Sequence, residues 1–86
     1  MPKIPAMAGE PLRVITEAIA EHRPGDHDPD SDILKDIGLD SLDYASVVVT
    51  VEDRLGVSLR EDEIDWSRVN TISDLAAVFE RHGDPA

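Results

Sequence analysis

Gly38-Leu39-Asp40-Ser41-Leu42-Asp43 marks the point where a long acidic loop should turn into a helix. Asp40 or Ser41 can accept hydrogen bonds from the free amides of a first helical turn. From Leu42 to Leu55 neither glycine nor proline interrupts the chain, and Gly56 is a suitable stop. Val47-Val48-Val49 alone would suit a strand, but the uninterrupted register around it favours a helix. With Ser41 at zero and about 100° per residue, Tyr44, Val47, Val48, Val51 and Leu55 gather on one side as a core face. Leu42, Ala45 and Val49 fall nearly opposite, beside Ser41, Glu52 and Asp53. A surface helix needs only one apolar stripe. The second, small one with carboxylates around it has the layout of a docking surface for basic partners.

Working outward, Pro11 fits a first helical turn. From Leu12, Ile15, Ala18 and Ile19 recur at helical spacing, with Val14 off that stripe. This helix should end near His22 or Arg23, before Pro24-Gly25. Pro24 to Leu39 is then a long acidic connection in which His27-Asp28-Pro29-Asp30-Ser31-Asp32 has turn chemistry. Ile33, Leu34 and Ile37 are expected to tack it onto the core, through one short helical turn. A further short helix is expected from Glu61 to Trp66. Thr71-Ile72-Ser73-Asp74 reads as an N-cap with an acid three residues on. It opens a last helix with Leu75, Val78 and Phe79 on one face. The expected fold is all-α: a small four-helix bundle, three main helices and one short one, with a long first loop. Residues 1–9 are expected as a flexible tail, 10–82 as the domain, and 83–86 as a frayed end.

Composition narrows the function. At 86 residues, one domain is expected. Folding at this size buries only about 60–65% of the unfolded surface, so a large internal pocket is hard to sustain. The absence of cysteine removes disulfides, thiolate metal sites and thiol nucleophiles. Eight basic against nineteen acidic residues give a net charge of -11, which disfavours nucleic acid and anionic membranes and favours basic protein surfaces. No apolar run approaches the ~18 residues of a membrane span and no signal layout is present, so a cytoplasmic protein is expected.

The serine invites a catalytic reading, which the residues do not support. A serine nucleophile needs a general base. The candidates are His22, His27 and His82, none fixed beside Ser41 by the sequence. No Gly-x-Ser-x-Gly elbow surrounds it. Asp40 and Asp43 would make its deprotonation harder. Asp26, Asp28, Asp30 and Asp32 suggest a calcium loop, but such a loop wants glycine at position six and glutamate at position twelve. Counting from Asp26 gives Ser31 and Ile37, and from Asp28 gives Ile33 and Leu39. No metal site is expected. A reactive serine without a catalytic machine is one that another enzyme modifies.

Gly38-Leu39-Asp40-Ser41-Leu42 resembles the phosphopantetheine attachment motif of acyl carrier proteins. The resemblance extends through helix, loop, motif, short helix and last helix, roughly Leu12 to Arg81. It implies a 4′-phosphopantetheine arm, taken from coenzyme A by a phosphopantetheinyl transferase and joined to the Ser41 hydroxyl. The thiol of that arm would hold acyl groups as thioesters. Asp40 would then serve transferase recognition, and Leu42, Asp43, Ala45, Val49, Glu52 and Asp53 would face partners. Trp66 would fall near the acyl path. Implied partners are an acyltransferase or an acyl or aminoacyl ligase, a ketosynthase and other thioester-using enzymes with basic docking surfaces. The chain itself would be a monomer and no enzyme. Carriers of primary fatty acid synthesis often have an acid where Ser46 stands, and Arg54 adds a positive charge near the helix end. The expectation is therefore a discrete carrier of a polyketide or related secondary-metabolite pathway. A freestanding aminoacyl or peptidyl carrier and a fatty-acid-synthesis carrier are the nearer alternatives. An acidic helical adaptor without a prosthetic group is the alternative of a different class.

Overall fold

The computed structural model describes residues 10–85; the expected N-terminal tail, residues 1–9, lies outside the described residues, as does Ala86. Three helices carry the architecture: α1 (Glu10–His22), α2 (Ser41–Leu55) and α3 (Ile72–His82). α1 packs against both α2 and α3. Its Ile15 and Ile19 meet Val47 and Val51 of α2 and Ile72, Leu75 and Phe79 of α3 in one fully buried cluster. Val14, which the helical stripe leaves out, is buried too. A helix sandwiched between two others needs a wider apolar arc than a helix with one neighbour.

Residues 61–68 form two single 3₁₀ turns, Glu61–Glu63 and Trp66–Arg68, in place of one short helix. The Asp65 carboxylate caps the second by accepting the Ser67 amide at 3.2 Å. α3 opens with a reciprocal cap: Thr71 Oγ1 accepts the Asp74 amide and the Asp74 carboxylate accepts the Thr71 amide, each at 3.0 Å. Past α3 the chain pairs where fraying was expected. Gly83–Pro85 (β2) runs antiparallel to Val57–Leu59 (β1), with Leu59 opposite Gly83. The Arg60 guanidinium also holds the Asp84 carboxylate at 2.9 Å.

The first loop is stapled down rather than loose. Ile33–Ile37 forms one π-helical turn, capped by Asp32, whose carboxylate accepts the Leu34 and Lys35 amides. Gly38, at φ +90°, closes the turn by donating its amide to the Ile33 carbonyl; this backbone conformation favours glycine. Ile33 is fully buried, and its amide donates to Asn70 O at 2.8 Å. Ser73 donates its amide to Pro29 O at 2.9 Å. The loop therefore rests on the start of α3. Leu34, expected as an anchor, is 48% exposed. Ile33 and Ile37 share one side of the turn, and Leu34, one residue on, points away from it. Leu39 takes the anchoring place, buried just before the motif serine.

Candidate functional site

The loop delivers the chain to α2 in a defined state. Asp40 is the N-cap, with φ −86° and ψ 176°, and its carboxylate accepts the Asp43 amide at 2.8 Å. Of the two capping candidates, the aspartate takes the role. Ser41 is the first helical residue, exposed, and its hydroxyl makes no hydrogen bond among the described residues. Among the described residues no general base attends it. His22 Nδ1 lies 3.6 Å from Asp43 Oδ1, and His27 Nε2 donates to the Arg23 carbonyl at 2.6 Å. His82 stands at the far end of α3. The serine is thus accessible and unactivated.

α2 divides as its periodicity requires. Val47, Val48 and Val51 are buried, while Leu42 is 79% and Val49 59% exposed. Ala45 is exposed between them. Leu42, Ala45, Ser46, Val49 and Thr50 frame a shallow depression on this outer face. Its carboxylates are not equivalent. Asp40 caps, and Asp43 faces His22. Glu52 is half-buried, and its carboxylate accepts the Leu59 amide at 2.8 Å, tying β1 to α2. Asp53 stays exposed. Arg54 is paired with Glu21 of α1, so the positive charge read at the end of α2 is locally balanced.

Between α2 and the Trp66 turn lies a cleft of about 210 Å³, lined by Ser41, Tyr44, Ala45, Val48, Val49 and Trp66. The Tyr44 and Trp66 rings meet edge to face, 6.3 Å apart at 86°, a favoured aromatic geometry. The Tyr44 hydroxyl is buried and has no hydrogen-bond partner among the described residues. Burial, and secondarily the Asp74 charge, push its pKa up to about 12. The sequence places Tyr44 and Val48 on the core face and so misses them as cleft walls. The available signal is spacing: Tyr44 stands three residues after Ser41, next to it on the helix surface. Trp66 is brought to the same cleft, half-buried.

The acidic loop has other duties. Asp28 accepts the Asp30 amide at 2.8 Å, and Asp32 caps the π-helical turn. Among the described residues no group of three or more histidine, aspartate or glutamate side chains is placed to hold a metal. Also among them, no helix is long and apolar enough to cross a membrane.

Ser41 thus stands exposed at the head of α2 and borders a small, largely apolar cleft. The phosphopantetheine attachment site family matches residues 11–79, and the chain belongs to that family of acyl-carrier-like proteins. Similar curated proteins include the acyl carrier protein MbtL of Mycolicibacterium paratuberculosis, 43% identical over 51 residues, 59% of this chain and 55% of that protein. MbtL of Mycobacterium tuberculosis is 39% identical over 51 residues, 59% of this chain and 58% of that protein. The acyl carrier protein of Chlamydia trachomatis is 29% identical over 59 residues, 69% of this chain and 74% of that protein. The chain spans little more than half the length of the mycobacterial relatives. No solved structure matches. Family membership implies a covalently attached 4′-phosphopantetheine prosthetic group. The residues fit it: Ser41 is exposed, its hydroxyl makes no hydrogen bond among the described residues, and it borders a cleft.

Proposed function

We propose that Ser41 bears the 4′-phosphopantetheine and that the chain delivers acyl intermediates to successive enzymes of a polyketide or related secondary-metabolite pathway. The observation that carries this is the contrast at the head of α2. Asp40 does the capping and leaves the adjacent Ser41 hydroxyl exposed and, among the described residues, unbonded.

In the attachment step, Ser41 Oγ would bond to the phosphorus of the phosphopantetheine half of coenzyme A. The pyrophosphate bond breaks, adenosine 3′,5′-bisphosphate leaves, and the hydroxyl proton passes to a base of the transferase. That enzyme supplies what the Ser41 surroundings lack. The start of α2 favours a phosphate on Ser41, because unpaired amides and the helix dipole place partial positive charge there. The bound group supplies a terminal thiol that holds acyl groups as thioesters, chemistry that a chain without cysteine cannot otherwise offer. Asp40 and Asp43 would meet basic residues of the transferase. Leu42, Ala45 and Val49, with Asp53 at the rim, would form the surface read by thioester-using enzymes. Glu52 would contribute less to docking than its position suggests, since its carboxylate already holds β1. No catalytic step is assigned to the chain itself.

Two observations support a specialised pathway over primary fatty acid synthesis. Ser46 stands where an acid is common in the primary carriers. Identity is also higher to the carriers named MbtL than to the chlamydial carrier named simply acyl carrier protein. The test is charging: the chain with its arm attached, given an acyl or aminoacyl ligase with its acid and ATP, should gain the acyl mass as a hydroxylamine-labile thioester. Stable loading of the arm with no thioester formed by any ligase or acyltransferase would contradict the carrier role.

A further inference from the structure

We propose that Arg23, the residue after α1, is a positioning residue that holds the approach to Ser41 in the form the transferase takes. The proposal rests on Ser41 as the attachment residue. The Ser41 hydroxyl makes no hydrogen bond among the described residues, so the backbone around it decides where it stands. That backbone is fixed from two sides. From within the loop, the Gly38 and Leu39 amides both donate to the Ile33 carbonyl at 3.2 Å, and Leu39 is buried. From the end of α1, Arg23 Nη2 donates to the Gly38 carbonyl at 3.2 Å, closing the loop between residues 15 apart. That carbonyl lies two residues before the Asp40 N-cap, outside the helical ladder of α2.

Arg23 is well set for this. Its amide donates to the carbonyl of the buried Ile19 at 2.8 Å, continuing the ladder of α1. Its own carbonyl accepts from His27 Nε2 at 2.6 Å. The guanidinium therefore starts from a held backbone. On the other flank of Ser41, His22 puts Nδ1 3.6 Å from Asp43 Oδ1. The end of α1 thus touches the chain on both sides of the serine. A segment already in place gives the transferase a ready partner. A loose one lowers the fraction of chains ready to bind, which raises the apparent KM and spares kcat. The sign separates this role from charge. The chain carries a net charge of -11, and a transferase that reads Asp40 and Asp43 presents basic groups. As a mere charge Arg23 opposes that encounter, so deleting it would lower KM. As a positioning residue it does the reverse.

The experiment compares the parent chain with Arg23→Ala and Arg23→Lys. Loading by a broad-specificity phosphopantetheinyl transferase at saturating coenzyme A gives kcat and KM for each, and amide hydrogen exchange of the unloaded chains reports the segment directly. Arg23→Ala is expected to raise KM about five- to tenfold, with kcat within about twofold of the parent. Exchange should quicken at Gly38 and Leu39 and stay unchanged at Val51, in the core, because the opening is local. Arg23→Lys keeps a donor and should return KM to within about twofold of the parent. An unchanged KM for Arg23→Ala would overturn the proposal, since the segment is then held without the guanidinium. A lower KM would overturn it and leave Arg23 as a surface charge. A raised KM with equally faster exchange at Val51 would also overturn it, in favour of a general loss of stability. A parent chain that gains no arm at Ser41 would overturn the attachment reading beneath it, an outcome that intact mass distinguishes before any variant is compared.

Discussion

Val49 and Val51 stand two residues apart on α2, yet one is 59% exposed and the other has no accessible surface. Two helical steps of about 100° put them on opposite sides. The inner face, Val47 with Val51, holds α2 against α1. The outer face, Leu42 with Val49, contributes little to folding and still stays apolar. The same contrast repeats at the head of the helix, where Asp40 serves the backbone and the Ser41 hydroxyl bonds to nothing among the described residues. On the proposed function, docking partners would account for the exposed apolar patch and a modifying enzyme for the idle hydroxyl.

The largest effect should come from charging the inner face. Val51→Asp buries a carboxylate with no partner, a cost of several kcal/mol against a total stability of ~5–15 kcal/mol. Circular dichroism should find the helical signal lost or the melting transition abolished, and a normally folded variant would refute the register of α2. At the helix head, Asp40→Ala should cost about 0.5–2 kcal/mol as a lost cap, while Ser41→Ala should stay within about 0.5 kcal/mol of the parent. Equal losses in urea melts would mean that the cap has been assigned to the wrong residue. Val49→Asp should fold with stability changed by no more than about 0.5 kcal/mol, and should weaken at least one partner enzyme roughly tenfold. Steady-state KM values for the carrier as substrate check this, and unchanged values with every partner would merge the two faces into one.

At neutral pH the smallest effect concerns the cleft wall, whose contribution changes only in alkali. Tyr44 is the only tyrosine, so phenolate absorbance reports it alone. It should titrate at about 12, above the ordinary value of about 10, because burial disfavours the phenolate. The folded state then keeps a proton that the unfolded state has lost. This contribution to stability is complete below about pH 10 and drains away as pH rises toward 12. Tyr44→Phe should remove that alkaline dependence from the urea midpoint. Titration near pH 10 in the folded chain would place the hydroxyl in solvent.

Local signals made much of this legible in the sequence. The bounds of α2 follow from Asp40 and Gly56, its two faces from periodicity, and the start of α3 from the Thr71–Asp74 reciprocal cap. What escaped depends on contacts between distant segments. Val14 is buried because α1 has two helical neighbours. Gly83–Pro85 is a strand because Val57–Leu59 lies beside it, and neither segment announces itself alone. Leu34 and Leu39 exchange the expected anchoring role because a π-helical turn, stapled to Asn70, sets which side chain points inward. At the site, the serine and the outer face could be read from the motif and the period. The cleft could not, since Trp66 reaches Tyr44 only through the fold.

The most direct test of the account is the intact mass of the chain before and after incubation with coenzyme A, magnesium and a broad-specificity phosphopantetheinyl transferase. The account predicts a gain of one phosphopantetheinyl unit, mapped to Ser41 and absent from a folded Ser41→Ala variant. A folded chain that begins without the group and gains nothing would contradict it, leaving an acidic helical adaptor whose serine is never used.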